Sequence, residues 1–350
     1  MKQIARIKDI AKQAGVSAGT VDRVLHNRGR VSESARIRIK EAMEKLDYEP
    51  NIMARALVSS GEYRIAAIIP DPKNDEYWRA PFQGVDEAEE QLRQYGVVVD
   101  KFLFNQKDVE SFKQEAQKVS ANHYSGILVA PIFYRESLAY LSKWKQEGVP
   151  FNLFNTHIPD YEPVAYVGQD SYQSGLLAGR LLHYGCKQPG TFMVVHLDTE
   201  VTNSTHLIRK EQGFLDYFEE FSLSGYHVAR TEIDFWEDSI RFETHLKKLI
   251  NDYPDLRGFF VTNSRSFVLA DFLLKHKINH FQLVGYDLLS KNRELLNSGV
   301  IDFLINQNPH GQGYWGVKLM ADYLVFKKQV EQIKYLPLDV VTKENARYYE

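Results

Sequence analysis

Residues 8–27 read KDIAKQAGVSAGTVDRVLHN, and this stretch decides how the rest of the chain is read. Lys8 to Ala14 carries Ile10, Ala11 and Ala14 at helical spacing, one apolar stripe. Gly15 ends that helix, because glycine takes the left-handed conformation past a helix C-terminus without steric cost. Ser17 caps a second helix, its hydroxyl placed to accept from a free backbone N–H. There Val21, Val24 and Leu25 face inward, while Ala18, Gly19, Asp22 and Arg23 face outward. Two short helices joined by a turn containing glycine form a helix-turn-helix, whose second helix enters the DNA major groove.

Asn27-Arg28-Gly29-Arg30 is a basic turn. Ser32 with Glu33 opens a third helix, Ser34 to Leu46, with Ile37, Ala42 and Leu46 expected on its buried side. Tyr48-Glu49-Pro50-Asn51 breaks the chain, and Ile52 to Leu57 follows. Residues 7–27, IKDIAKQAGVSAGTVDRVLHN, and 30–57, RVSESARIRIKEAMEKLDYEPNIMARAL, resemble the LacI family of bacterial transcription regulators. A lone helix-turn-helix would be a weak match; here the third helix and the following segment agree as well. The resemblance implies a small all-α helix-turn-helix domain at 4–49, a hinge helix and linker at 50–61, and an effector-binding α/β body at 62–350.

At 350 residues, two or three domains are expected. A hydrophobic share of 44% and a charged share of 25% are those of a soluble globular protein. Cys186 is the one cysteine, so no intrachain disulfide can form, which suits a reducing cytoplasm. No apolar run reaches the roughly 18 residues of a membrane span. The N-terminus lacks an apolar signal core, which argues against export. The net charge of −3 hides an asymmetry: residues 1–60 carry 12 Lys and Arg against 7 Asp and Glu, and the remainder 31 against 39. A basic head on an acidic body concentrates attraction for phosphate at one end.

After Ser59-Ser60-Gly61-Glu62 the pattern becomes alternating strands and helices. Strands are predicted at 64–70, 97–104, 126–131, 150–154, 165–168, 191–197, 227–233, 258–262, 281–286 and 301–306. Helices are predicted at 82–95, 109–121, 135–147, 172–184, 208–221, 239–251, 266–277 and 311–328. Runs such as IAAIIP and GILVAP are those of strands buried on both faces, and βα alternation implies parallel sheets with helices on each side. Ten strands exceed one such domain, so two lobes are expected. The family resemblance implies a two-lobed, periplasmic-binding-protein-like (type I) body joined by three crossovers. By that analogy the N-lobe covers about 62–183 and 307–336, and the C-lobe about 184–306 and 337–350.

On the DNA side, Lys8, Arg23, His26, Asn27, Arg28 and Arg30 are candidate phosphate partners, which position a protein without reading sequence. Base reading falls to Ala18, Gly19, Asp22 and Arg23, beside the cap Ser17. Ala18 can touch a thymine methyl. Asp22 can accept from cytosine N4 or pair with Arg23. Many family members carry larger polar groups at the positions of Ala18 and Gly19. Ile52 to Leu57 resembles the family hinge helix, which places Leu57 as a minor-groove wedge with Ala54 beside it.

On the ligand side, sugar pockets need paired polar groups and aromatic faces. Asp170, Asn263, Asp287 and Gln307 follow the strands AYVG, GFFVT, LVGY and IDFLIN. Ligands of open α/β sheets bind at the carboxyl ends of strands. The resemblance places the same four at ligand-holding positions. It adds Asp75, Tyr77 and Trp78 after the first strand, Asn155 after FNLF, Arg209 or Lys210 in STHLIRKEQGF, and Phe235. No cofactor is expected, and no metal site, phosphate loop or nucleophile elbow is visible.

The resemblance thus implies a cytoplasmic, sequence-specific DNA-binding regulator, a repressor by analogy, whose operator affinity follows a small effector, a sugar or sugar derivative, held between the lobes. Its partners would be a pseudo-palindromic double-stranded operator and a second copy of the chain, since one helix-turn-helix reads only a few base pairs. Readings weighed beside it are a purine- or other metabolite-sensing regulator, a sugar-binding protein without regulatory role, and a sugar-directed enzyme. The wedge reading predicts that Leu57→Ala weakens binding to a specific operator by at least tenfold while non-specific duplex binding changes little. Filter or anisotropy titrations on both duplexes check this, and equal losses would remove the role.

Overall fold

A computed structural model of the chain describes residues 7–25, 29, 31–46, 62–186, 188–197, 204–221 and 223–349. The chain divides into two compact units, residues 1–59 and 60–350.

Among the described residues the first unit holds three helices, α1 (Ile7–Ala14), α2 (Ala18–Leu25) and α3 (Glu33–Lys45). Ile10, Ala11, Ala14, Val21, Ile39 and Ala42 form its core, so the stripe read from α1 is the one that is buried. Gly15 has φ +62°, the left-handed turn between α1 and α2. Ser32 caps α3 by accepting from the Ala35 N–H. Ile37 is 50% exposed rather than buried. The inward face of α3 is Ala35, Ile39 and Ala42, spaced by four and three, and Ile37 lies two residues off that stripe.

Among the described residues the second unit contains two six-stranded sheets. The first holds β1 (Tyr63–Pro70), β2 (Val97–Phe104), β3 (Gly126–Val129), β4 (Phe151–Phe154), β5 (Ala165–Gly168) and β11 (Ile333–Tyr335), in the order β11-β5-β4-β3-β1-β2. The second holds β6 (Gly190–His196), β7 (Tyr226–Glu232), β8 (Leu256–Val261), β9 (Gln282–Tyr286), β10 (Phe303–Asn306) and β12 (Asp339–Val341), in the order β12-β10-β9-β8-β6-β7. All pairings are parallel except β10 with β12. Each lobe is therefore doubly wound, with its strand order reversing between its first and third strands.

The ten predicted strands are all present, with ends shifted by up to two residues. The three-residue β11 and β12 were too short to carry a pattern. The helices of this unit are α4 (Arg79–Leu92), α5 (Val109–Ser120), α6 (Tyr134–Gln146), α7 (Ser171–Gly185), α8 (Thr205–Glu220), α9 (Ser239–Asp252), α10 (Ser266–Lys275), α11 (Ser290–Asn297) and α12 (Pro309–Leu324). Of these, α11 was not predicted. None of the described helices is long and apolar enough to cross a membrane.

The chain passes between the sheets at Gln169–Asp170, at Gln307–Asn308 and at 336–338. Helix α7 packs on α8 and on the second sheet, while α12 packs on α4 and the first. The first crossing thus lies ahead of α7, which moves that helix out of the N-lobe expected to run to residue 183.

Matching glycines set both helix pairs. A Cβ on Gly84 of α4 would lie 2.0 Å from the His310 carbonyl oxygen, and one on Gly313 of α12 2.0 Å from that of Pro81. In the second lobe, a Cβ on Gly175 of α7 would lie 2.0 Å from the Lys210 oxygen, and one on Gly213 of α8 2.0 Å from that of Tyr172. Backbone lies against backbone at these points, and no side chain can turn away to make room. Alanine at Gly175 or Gly313 is therefore expected to destabilise the body by about 1–3 kcal/mol, outweighing the ~1 kcal/mol it gains in helix propensity. Urea unfolding of each variant checks the sign.

Candidate DNA-binding face and candidate ligand cleft

In the head, Ser17 Oγ accepts from the Thr20 N–H at 3.1 Å and starts α2. Lys8, Ser17, Ala18, Gly19, Asp22 and Arg23 are all exposed, and Ala18, Gly19, Asp22 and Arg23 make up the outer face of α2. A Cβ on Gly19 would come no closer than 3.8 Å to any neighbour, so this face is low there by composition rather than by crowding. His26, Asn27, Arg28, Arg30, Ala54 and Leu57 lie outside the described residues.

In the body, a cavity of about 270 Å³ lies where the loops at the carboxyl ends of both sheets converge. From the first lobe, Asp75, Tyr77 and Trp78 follow β1, Gln106 and Lys107 follow β2, Ile132 and Phe133 follow β3, and Asn155 follows β4. From the second, Ser204, His206 and Lys210 follow β6, Asp234, Trp236 and Glu237 follow β7, and Asn263, Ser264 and Arg265 follow β8. Asp287 follows β9 and Gln307 follows β10. This is where strand order reverses in both sheets, the place at which such sheets bind ligands.

Asn155 and Asp287 stand at corresponding strand ends and share a left-handed backbone, with φ of 67° and 64°. Asn and Asp tolerate that region better than other side chains.

Lys210 and Asp287 are each 1% exposed. The Lys210 ammonium donates to the Thr262 carbonyl at 3.0 Å, reaches Gln307 Oε1 at 3.4 Å and lies 3.5 Å from the centre of the Tyr286 ring. Gln307 Nε2 donates to Asp287 Oδ2 at 2.6 Å. Gln169, at the first crossing, donates to Gln307 Oε1. The other carboxylate oxygen, Asp287 Oδ1, is buried with no hydrogen-bond partner. Burial pushes the Lys210 amine down and the Asp287 carboxyl up, and each partly holds the other's charge. His206 is pushed down to about 3 by burial and by the nearby Lys210 and His196, which keeps its ring neutral.

Side chains of the two lobes meet around the cleft. Arg265 Nη2 lies 3.3 Å from Asp75 Oδ2, which also accepts from Gln106 Nε2 at 2.7 Å. Lys107 pairs with Glu237. Glu76 Oε1 accepts from the Ser290 N–H at 3.2 Å. The Thr156 hydroxyl lies 3.4 Å from His206 Nδ1. Lys107 and Arg265 both lie near the Trp236 ring, 5.5 and 5.0 Å from its centre.

Of the residues singled out in the sequence, Asp75, Tyr77, Trp78, Asn155, Lys210, Asn263, Asp287 and Gln307 come together here. Three do not. Asp170 caps α7, accepting from the N–H groups of Tyr172 and Gln173. Arg209 is exposed, because one residue along a helix turns the side chain by about 100°, and Lys210 takes the inward direction. Phe235 packs on the second-lobe core with the Arg241 guanidinium 3.7 Å from its centre, and Trp236 faces the cleft in its place. Asn263 lines the cleft but also braces its own loop, donating to the Leu197 carbonyl and accepting from the Arg265 N–H.

Gln106, Lys107, Trp236 and Arg265 were missed, although each lies within four residues of a strand's carboxyl end, the same signal that found Asp287. His206 lies well beyond the end of β6 at His196, out of reach of that signal.

The neutral His206 gives a pH dependence. Its folded-state value lies below its ordinary 6.5, so the unfolded chain takes the proton first as pH falls. Its contribution to stability is whole above about pH 6.5 and is lost progressively on acidification toward pH 3. Melting profiles of His206→Asn between pH 4 and 8 should be flatter on the acid side than those of the parent.

Comparison with known proteins agrees with both parts. The bacterial regulatory proteins of the lacI family match residues 6–51, and a periplasmic binding protein domain matches 65–328. The HTH-type transcriptional regulator MalR of Streptococcus pneumoniae is 28% identical over 183 residues, 52% of this chain and 55% of the relative, so this match spans about half of each. The ribose operon repressor of Bacillus subtilis is 26% identical over 98% of this chain and 99% of its own length. A solved structure described as a LacI transcriptional regulator from Bacteroides fragilis is 27% identical, with a TM-score of 0.74 over 83% of this chain and 100% of that one. With a three-helix head matched at one end and a two-lobed body matched over most of the remainder, the chain belongs to the lacI family of bacterial regulatory proteins and carries a periplasmic binding protein domain.

Proposed function

We propose that the chain is a transcriptional repressor whose affinity for operator DNA is controlled by a sugar, or sugar derivative, bound between its two lobes. The observation that carries this reading is the pairing, in one chain, of an exposed second helix in a helix-turn-helix with a cleft containing a buried, unpartnered carboxylate oxygen, Asp287 Oδ1. An acceptor in that position calls for a donor, and a sugar hydroxyl supplies one while also accepting from Lys210 or Gln307. The name of the ribose operon repressor relative supports both the repressor role and a sugar.

The DNA-binding set is Lys8, Ser17, Ala18, Gly19, Asp22, Arg23, His26, Asn27, Arg28, Arg30, Ala54 and Leu57. The chain acts inside the cell as a homodimer on a pseudo-palindromic operator, because two heads are needed to read a specific site. In the cleft, Asp75, Asn155, Lys210, Asn263, Asp287 and Gln307 are the polar contacts, and Tyr77 and Trp78 shape the wall. The ligand bridges loops of both lobes and favours the closed arrangement. Residues 50–58, which resemble the family hinge, transmit that choice to the head. Ligand and operator then change each other's affinity by one common factor.

Thermal unfolding with a sugar panel, followed by operator titration with and without each hit, tests the proposal. A sugar at one hundred times its Kd should add about 2.7 kcal/mol to stability and change operator affinity at least fivefold. Asp287→Asn should lose at least tenfold in sugar affinity while keeping operator binding. No stabilisation by any sugar, or stabilisation that leaves operator affinity unchanged, would overturn the reading.

A further inference from the structure

Beside the cleft lies a second cavity of about 220 Å³. The two share one wall, formed by Asp75, Gln106, Lys107, Trp236, Glu237 and Arg265. These residues come from loops after β1, β2, β7 and β8, two from each lobe, and they meet through side chains: Gln106 and Arg265 both on Asp75, and Lys107 on Glu237. The remaining lining of the outer chamber is Asn74, Glu76, Phe267, Leu289 and Lys291.

The two cavities, about 270 and 220 Å³, lie side by side, and joined they fall inside the ~300–1,000 Å³ range of small-molecule pockets. The outer chamber also has the chemistry of a ring-binding site. Trp236 and Phe267 offer aromatic surface, and the Asn74 amide can both donate and accept, while the Gln106 amide is held between Trp78 and Asp75. It is poorly suited to an anion, because its cations already face carboxylates. Lys107 has Glu237, Arg265 has Asp75, and Lys291 has Glu294 at 3.3 Å and Asp271 at 3.6 Å. Glu76 and Asp75 add negative charge to the same space.

We infer that the effector is a ligand of two linked, uncharged sugar units, one held in the inner chamber at Asp287 and the other in the outer chamber between Trp236 and Phe267. The linkage crosses the shared wall, where Gln106 and Arg265 turn from Asp75 to donate to it. This inference rests on the sugar reading of the cleft and narrows it to a size and a charge.

Calorimetric titration of the full chain tests it with maltose, cellobiose, lactose and sucrose, with their constituent glucose, galactose and fructose, and with glucose 6-phosphate. Leu289→Trp serves as a variant that fills only the outer chamber. At least one disaccharide should bind tenfold or more tightly than either constituent, and Leu289→Trp should erase that advantage while leaving the monosaccharide's affinity unchanged. A monosaccharide that binds as tightly as every disaccharide containing it, or equal losses for both in Leu289→Trp, overturns the two-unit reading and leaves the sugar reading standing. Tighter binding of glucose 6-phosphate than of glucose overturns the uncharged class. Failure of every sugar to bind overturns both readings together.

Discussion

A lysine and an aspartate are buried together beside the cleft between the two lobes, at a cost in hydration that their surroundings must offset. Lys210 and Asp287 have almost no contact with solvent. Neither charge could be kept there alone, since an isolated buried ion loses several kcal/mol of hydration. Gln307 links them, its amide donating to Asp287 and its carbonyl oxygen turned toward Lys210. Gln169 and Gln307 belong to two of the passages between the sheets, so the network holding the charges is also the network that ties the passages together. A ligand that completes the coordination of Asp287 therefore acts on the element whose geometry relates one lobe to the other.

Strands and their carboxyl ends were legible in the sequence because burial on both faces leaves uninterrupted apolar runs. IAAIIP and GILVAP can hardly be anything else, and a polar residue directly after such a run stands at the rim of a sheet. Asp287 and Gln307 were found in this way. The limit of that logic is direction. A strand end says that a residue is near the cleft, not that its side chain turns into it, and Asp170 turns instead onto the start of α7. Helices carry the converse ambiguity. Arg209 and Lys210 differ by one position, and only the packing of α8 against α7 decides which is inward.

The close helix contacts were not legible at all. Gly84, Gly175, Gly213 and Gly313 read as weak points inside helical patterns, whereas each marks a place where two backbones touch. The two lobes repeat this device with the same strand order, and three of the four glycines, Gly84, Gly213 and Gly313, directly follow a glutamine. In the head, by contrast, the three helices, the glycine turn and the serine caps read from residues 8–46 are all present, because these are local features. Ile37 is the exception, and it failed where a single apolar residue was read without the four-and-three spacing around it.

The three passages between the sheets have a mechanical meaning. Two bodies joined by one strand can swivel, tilt and twist. Joined by two they can still rotate about the line between the attachments. A third tether at 336–338 removes most of that remaining freedom and leaves bending across the junction as the soft coordinate. Opening and shutting is then the motion on which a molecule held between the lobes would act.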